Sequence, residues 1–379
     1  MFNVQPSSGP TTGNLIFIGG IKPFAALGLV LGLCLAPLCA RASDPWPDEN
    51  IQPPPGLNIV LYYNAFAAAG SYGQPDGNVI SQHTRVNVDV QALRYIHTFN
   101  IETVLTGVQV YVPYVSFIGG QQVGVSDIPA PAGLPAGTPS YGAGHEALGS
   151  ANGFGQPNFG AFIFPYWSPK TDTGLILAAW LSPPIGSYNQ NASMNDSPNL
   201  WTGELEAGLR TTLLGRPERR NFAVSAWAEA YFYGSNGNAG LVSPAVYANS
   251  ISPIYQVYHE LNPALPAANP LVPQTMVPAS FSMQPTEELR VYFPYQFFPA
   301  AGASISPGFY QSFGGKGIYT LEGGTKIDSG TRTNESQLRL ILSTYLSNHW
   351  QVAVNGEYDV MAHGGPLYRT IELRIGTSF

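Results

Sequence analysis

In several stretches of this chain charged residues recur at spacings of two or four, which lines them up on one face of an extended strand. Glu204, Glu206 and Arg210 share one such face, Glu288 and Arg290 another, Glu357 and Asp359 a third, and Glu372 and Arg374 a fourth. Arg85 and Asp89 flank Asn87 in a fifth, and Glu229 and Arg339 stand singly among apolar neighbours. These thirteen are eight carboxylates and five arginines. Facing one another across an enclosed bore, rings of acids and bases set up a transverse field that selects polar solutes. Packed closely, the same groups are mutually satisfied ion pairs, because a polar group withdrawn from water needs a partner. The spacing admits both readings. Arg374 beside Glu357 or Asp359 on the preceding strand is a natural cross-strand pair.

Reaction chemistry has little to build on. The six histidines, His83, His97, His145, His259, His349 and His363, show neither His-x-x-x-His nor His-x-His spacing. A metal site therefore has no support. Gly-x-Ser-x-Gly is absent, as are the Walker and dinucleotide glycine patterns. Both cysteines, Cys34 and Cys39, lie in one apolar segment near the N-terminus, so the remainder can form neither a disulfide nor a thiolate site. The expectation is a protein without catalytic residues, metal ligands or cofactor.

The elements that would carry these faces follow from composition. Only 10% of the 379 residues are charged, against about 25% in soluble proteins. Mean hydropathy is nevertheless +0.01, and only residues 21–40 approach the roughly 20 apolar residues that span a bilayer as a helix. A polytopic helical membrane protein is excluded. The 42 glycines and 34 prolines, about a fifth of the chain, also disfavour helices.

What remains is strict alternation. Val86, Val88 and Val90 alternate with Arg85, Asn87, Asp89 and Gln91; Trp350, Val352, Val354, Tyr358 and Val360 alternate with Gln351, Asn355, Glu357 and Asp359. Similar patterns predict twelve strands near 57–69, 82–96, 99–115, 153–168, 172–186, 199–214, 219–234, 284–298, 301–313, 333–346, 349–362 and 367–379. Their connections alternate long and short until 363–366, which is short where a long one is due. An even strand number with short turns at one end and long loops at the other describes an all-β, antiparallel up-and-down transmembrane barrel of the outer membrane. Closure supplies every backbone hydrogen bond that an apolar solvent demands. A secreted β-sandwich would put its charges on the outer faces and use shorter strands.

Residues 21–42 add an export signal: Lys22, an apolar run, and Ala40-Arg41-Ala42 ahead of Ser43. The expected division is an N-terminal extension and signal over 1–42, a stiff periplasmic lead-in over 43–56 and the barrel over 57–379. After removal of 1–42, 14 basic residues face 23 acidic ones, a net charge of −9, which excludes nucleic acid as a partner. The 46 aromatic residues cluster at strand ends, as interfacial girdles do. Phe379 ends an alternating last strand and resembles the C-terminal signal read by the outer-membrane assembly machinery. The long loops 116–152 and 235–283 are either surface loops or a constriction folded into the bore.

Three stretches carry a family resemblance: Val112-Pro113-Tyr114, Pro183-Pro184-Ile185-Gly186-Ser187-Tyr188, and Gly308-Phe309-Tyr310-Gln311-Ser312-Phe313-Gly314-Gly315. With these the mature chain resembles the transporter-like outer-membrane barrels associated with the meta-pathway of phenol degradation, although Pro184 stands where that family more often has Thr. The resemblance implies passage of small, often aromatic, compounds across the outer membrane. The resulting expectation is a passive channel for small aromatic or hydrophobic solutes in the bacterial outer membrane, partnered by its lipid and its assembly machinery. The alternative is a non-conducting barrel that acts in adhesion or structure through its long outer loops.

Overall fold

The structure, a computed structural model, describes residues 45–73, 77–81, 83–125, 144–147, 151–190, 195–239, 241–242, 277–329 and 332–379. The expected export segment and most of the two longest loops lie outside the described residues. Twelve strands build one closed sheet. They are β1 (Asn58–Gly73), β2 (Val86–Ile101), β3 (Val104–Phe117), β4 (Asn158–Ser168), β5 (Thr173–Ser182) and β6 (Thr202–Gly215). The circuit continues with β7 (Asn221–Tyr233), β8 (Thr286–Tyr292 and Tyr295–Phe298), β9 (Ala303–Gly314), β10 (Asn334–Tyr345), β11 (Trp350–His363) and β12 (Gly365–Ser378). Each strand pairs antiparallel with its sequence neighbours, and β1 pairs with β12 from Ile59↔Ser378 to Gly73↔Gly365, which closes the circuit. All twelve predicted strands are present.

At one end the connections are short, 102–103, 169–172, 216–220, 299–302 and 346–349; at the other they are long, apart from the last. The last is the single residue Gly364, whose φ of 71° lies where glycine is favoured. Gly215 closes the turn after β6 under a similar demand: its φ is 83°, and a Cβ there would lie 2.2 Å from the Arg220 carbonyl oxygen. By the convention of such barrels the short-turn end is periplasmic. At the long-loop end Val277–Met283 pairs with Gly317–Leu321 and with Ser235–Asn236, so parts of the loops expected around 235–283 and 314–332 form a small sheet beyond the barrel.

Alternation sorts the side chains as a membrane requires. Leu205, Leu338, Val354, Tyr358 and Ile371 are exposed on the outer wall, and their strand neighbours Glu204, Glu206, Arg339, Asn355 and Glu357 are buried in the bore. Several of the aromatics expected at strand ends, Tyr166, Trp201, Phe232, Phe298 and Trp350, are exposed there, while Tyr63 and Tyr231 turn inward. Four interior glycines stand directly across from an inward ring: Gly107↔Phe162, Gly160↔Trp180, Gly208↔Trp227 and Gly308↔Tyr292. A Cβ at any of them would lie within 2.6 Å of an atom of that ring or, for Gly208, of Ile176. The glycines therefore let the rings lie flat against the wall, which keeps large aromatics inside a narrow barrel.

Candidate functional site

Among the described residues the charged faces meet in the bore. Register builds its middle layer: Glu206, Glu229 and Glu288 are direct cross-strand partners on β6, β7 and β8. Like charges directly opposite repel. Arg290, two residues past Glu288 and on the same face, answers two of them, bonding both Glu229 and Glu288. Trp180 Nε1 donates to Glu206 at 2.7 Å, and Tyr231 OH donates to Glu229 at 2.9 Å. The Tyr310 ring lies between two guanidiniums, Arg290 at 4.9 Å and Arg339 at 4.6 Å. Arg339 sits 3.4 Å from Glu357 and donates to the Tyr292 hydroxyl at 3.3 Å. Glu229, Glu288, Arg290, Arg339 and Glu357 are thus paired in the interior, and breaking any of these pairs would leave a buried charge.

Of the thirteen predicted residues, ten are buried in the bore: Glu204, Glu206, Arg210, Glu229, Glu288, Arg290, Arg339, Glu357, Asp359 and Arg374. Glu372 is half-buried beside Asn355. Arg85 and Asp89 are corrections. Arg85 is exposed at the outer rim and donates to the Gly120 carbonyl. Asp89 shares its parity with Leu93 and Tyr95, both exposed, and pairs with the exposed Phe66, so it stands on the outer wall, accepting from Asn64 and Gln91. The valines opposite turn inward, and the same phase carries Ala92, Arg94 and Ile96 into the bore. The expected pairing of Arg374 with Glu357 or Asp359 is also corrected. Arg374 stands across from Ala353, Glu357 goes to Arg339, and Asp359 accepts from the Tyr368 amide at 2.6 Å.

What Arg374 does hold is the stretch expected to lead in from the periplasm. Residues 45–56 fold into the barrel, with Trp46 and Asn50 fully buried. Two tight turns, Glu49 N to Trp46 O and Ile51 N to Asp48 O, point Asp48 and Glu49 at the wall. Arg374 bonds Asp48 at 2.8 Å and Glu49 at 3.1 Å, and Arg94 bonds Glu49 at 2.8 Å. The Arg374 guanidinium lies 4.1 Å from the centre of the Trp46 ring. Arg210, itself paired with Asp172 at 2.6 Å, donates to the Pro47 carbonyl at 2.9 Å; Asn50 Nδ2 donates to the Leu209 carbonyl and the Ser225 hydroxyl, each at 3.0 Å. Burial works to raise the Asp48 carboxyl, but the Arg374 charge and hydrogen bonds from Gln351 and Arg374 outweigh it and hold it at about 2.

Sequence reasoning missed Arg94, Asp172, Asp48 and Glu49. Arg94 carried a signal: between Leu93 and Tyr95, the opposite phase would have left an arginine facing lipid, at about 2–4 kcal/mol. Beside the segment a cavity of about 320 Å³ opens toward the short-turn end. Ile59, Leu61, Ile96, Phe162, Phe164 and Trp227 form much of its wall, and Arg94, Arg374, Asp48 and Glu49 border it.

No curated protein matches this chain. A crystal structure of an outer-membrane channel from Pseudomonas putida F1 superposes with a TM-score of 0.63 at 19% identity, covering 89% of this chain and all of that one. The β domain of the Bordetella autotransporter BrkA gives 0.40 at 9% identity over 85% of this chain and 99% of that one, and the CymD monoaromatic hydrocarbon channel gives 0.36 at 11% over 88% and 90%. The first of these shares the fold, that of an outer-membrane barrel. The family model described as "Putative MetA-pathway of phenol degradation" matches residues 69–264, more than half of the chain. This protein belongs to that family.

Proposed function

We propose that this protein is a passive channel of the bacterial outer membrane for small aromatic or hydrophobic molecules. The observation that carries the reading is a largely apolar chamber inside a closed barrel, bordered by a short segment that is held in the bore by side-chain contacts. A barrel that served only as a wall or as a platform for its loops would need no such chamber. Membership in a family named for phenol degradation supports an aromatic cargo. In this reading residues 1–42 direct export and are removed, Glu206 and Arg374 border the passage while the fully buried charges brace the wall, and Phe379 is read during assembly. Phe379 is exposed and closes the barrel seam through backbone bonds with Asn58 at 2.9 and 3.0 Å, so its ring is free to be recognised. No catalytic step enters.

Uptake tests this. Cells whose lipopolysaccharide slows apolar solutes should take up radiolabelled toluene faster when they carry the chain than when they carry an unrelated barrel. Equal rates, with the protein shown to be folded in the outer membrane, would reject the channel and leave the loop-based role.

A further inference from the structure

The contacts that hold residues 45–56 also describe a ligand. Arg94 and Arg374 are almost completely buried, and each is answered by a carboxylate from that segment, Glu49 for Arg94 and both Asp48 and Glu49 for Arg374. The carboxylates are the more accessible partners: Asp48 is 27% exposed and Glu49 13%, against 2% for Arg374 and 6% for Arg94. Withdrawing the segment alone would strip two buried guanidiniums of their bonded carboxylates, leaving Arg94 only the neutral Gln109 and Tyr63 and Arg374 only the neutral Gln351 as hydrogen-bond partners, a strongly unfavourable state. An incoming carboxylate removes that obstacle. Immediately beside the guanidiniums lies the cavity walled by Phe162, Phe164, Ile96 and Trp227, wide enough for a single aromatic ring.

We propose that Arg94 and Arg374 form a carboxylate subsite, that Asp48 and Glu49 occupy it in the closed channel, and that the preferred solute is a small aromatic acid that displaces them. The ring fills the apolar wall while the carboxylate takes over the forked hydrogen bonds. Glu49 already bridges the two guanidiniums, Oε2 to Arg94 and Oε1 to Arg374, so a single incoming carboxylate in its place keeps both arginines paired after Asp48 and Glu49 leave, and opening is coupled to the arrival of cargo. The Arg210–Asp172 pair keeps its own charge balance and loses only the bond from Arg210 to the Pro47 carbonyl when the segment leaves. The inference rests on the channel reading above and narrows its cargo.

The test is equilibrium binding to the full chain in nanodiscs at pH 7, by calorimetry, with benzoate and the neutral benzamide as probes and empty nanodiscs as reference. Benzoate is expected to bind about tenfold tighter than benzamide, or about 1.4 kcal/mol. Glu49→Gln, which removes the carboxylate charge shared by Arg94 and Arg374, should raise benzoate affinity about tenfold further and change the benzamide value little. Arg94→Gln should bring the benzoate-to-benzamide ratio toward one. Heat-modifiable gel mobility certifies each variant as folded, and the Glu49→Gln comparison stands by itself should Arg94→Gln fail to fold. Equal affinities for the two probes in the parent and in Glu49→Gln would overturn the subsite. Toluene uptake separates the two readings: accelerated uptake without benzoate preference overturns this inference alone, and unaccelerated uptake overturns the channel on which it rests.

Discussion

Replacing Arg290 by Met should destabilise the barrel more than any lipid-facing change. Glu229 and Glu288 are cross-strand partners, and all three side chains of the Arg290, Glu229 and Glu288 cluster are fully buried. Removing the cation leaves two carboxylates face to face without water. Breaking a buried pair of this kind costs about 3–5 kcal/mol. The stack on Tyr310 adds up to about 2 kcal/mol where desolvated, and the extra apolar contact of Met returns part of it. An expected net loss of about 4 kcal/mol corresponds to roughly a thousandfold shift in the unfolding equilibrium. Urea unfolding in phospholipid bilayers, followed by tryptophan fluorescence and gel mobility, reads it directly. Restoring neutrality in Glu229→Gln/Glu288→Gln/Arg290→Met should recover all but about 1 kcal/mol, because no unpaired charge remains. A single variant within about 1 kcal/mol of the parent, or a triple variant no better than the single, would refute the reasoning.

Further expectations follow from the same geometry. Gly208→Ala places a methyl 2.6 Å from Ile176 and 2.7 Å from the Trp227 ring, so a loss of about 1–3 kcal/mol in the same unfolding assay is expected. Asp48 is held at about 2, below its ordinary value of 3.8, so its bond to Arg374 contributes in full above about pH 4 and is lost as pH falls through 2. Acrylamide quenching of Trp46, isolated by comparison with Trp46→Phe, should therefore be flat from pH 7 to 4 and rise below. Phe379→Ala should reduce the folded fraction recovered in the outer membrane while leaving refolding of the purified chain into detergent nearly unchanged.

The wall of this barrel was legible because lipid on one side and a polar bore on the other write a period of two into every strand. Glu204, Glu206, Arg210, Glu229, Glu288, Arg290 and Arg339 face inward as that period requires. It misled where both faces of a strand carry polar or β-branched residues. Around Asp89 the valines looked like the lipid face, yet Asn64, Asp89 and Gln91 satisfy one another on the outer wall. Only continuation to Leu93, Arg94 and Tyr95 fixes the phase. The segment 45–56 left no comparable trace. Its prolines and tight turns have no period, and its partners, Arg94, Arg210 and Arg374, are distant in sequence and meet it only once the barrel closes. The same closure explains why Arg374 was assigned the wrong carboxylates. A neighbouring strand can be read from local spacing, and a segment entering through the bore cannot.

The central claim, a channel closed by its own N-terminal segment, is tested most directly by planar-bilayer conductance of the parent beside a chain lacking residues 45–56. The account predicts small or rare openings in the parent and larger, long-lived ones in the truncated barrel, with both chains heat-modifiable on gels. Indistinguishable conductance from two folded barrels would contradict it.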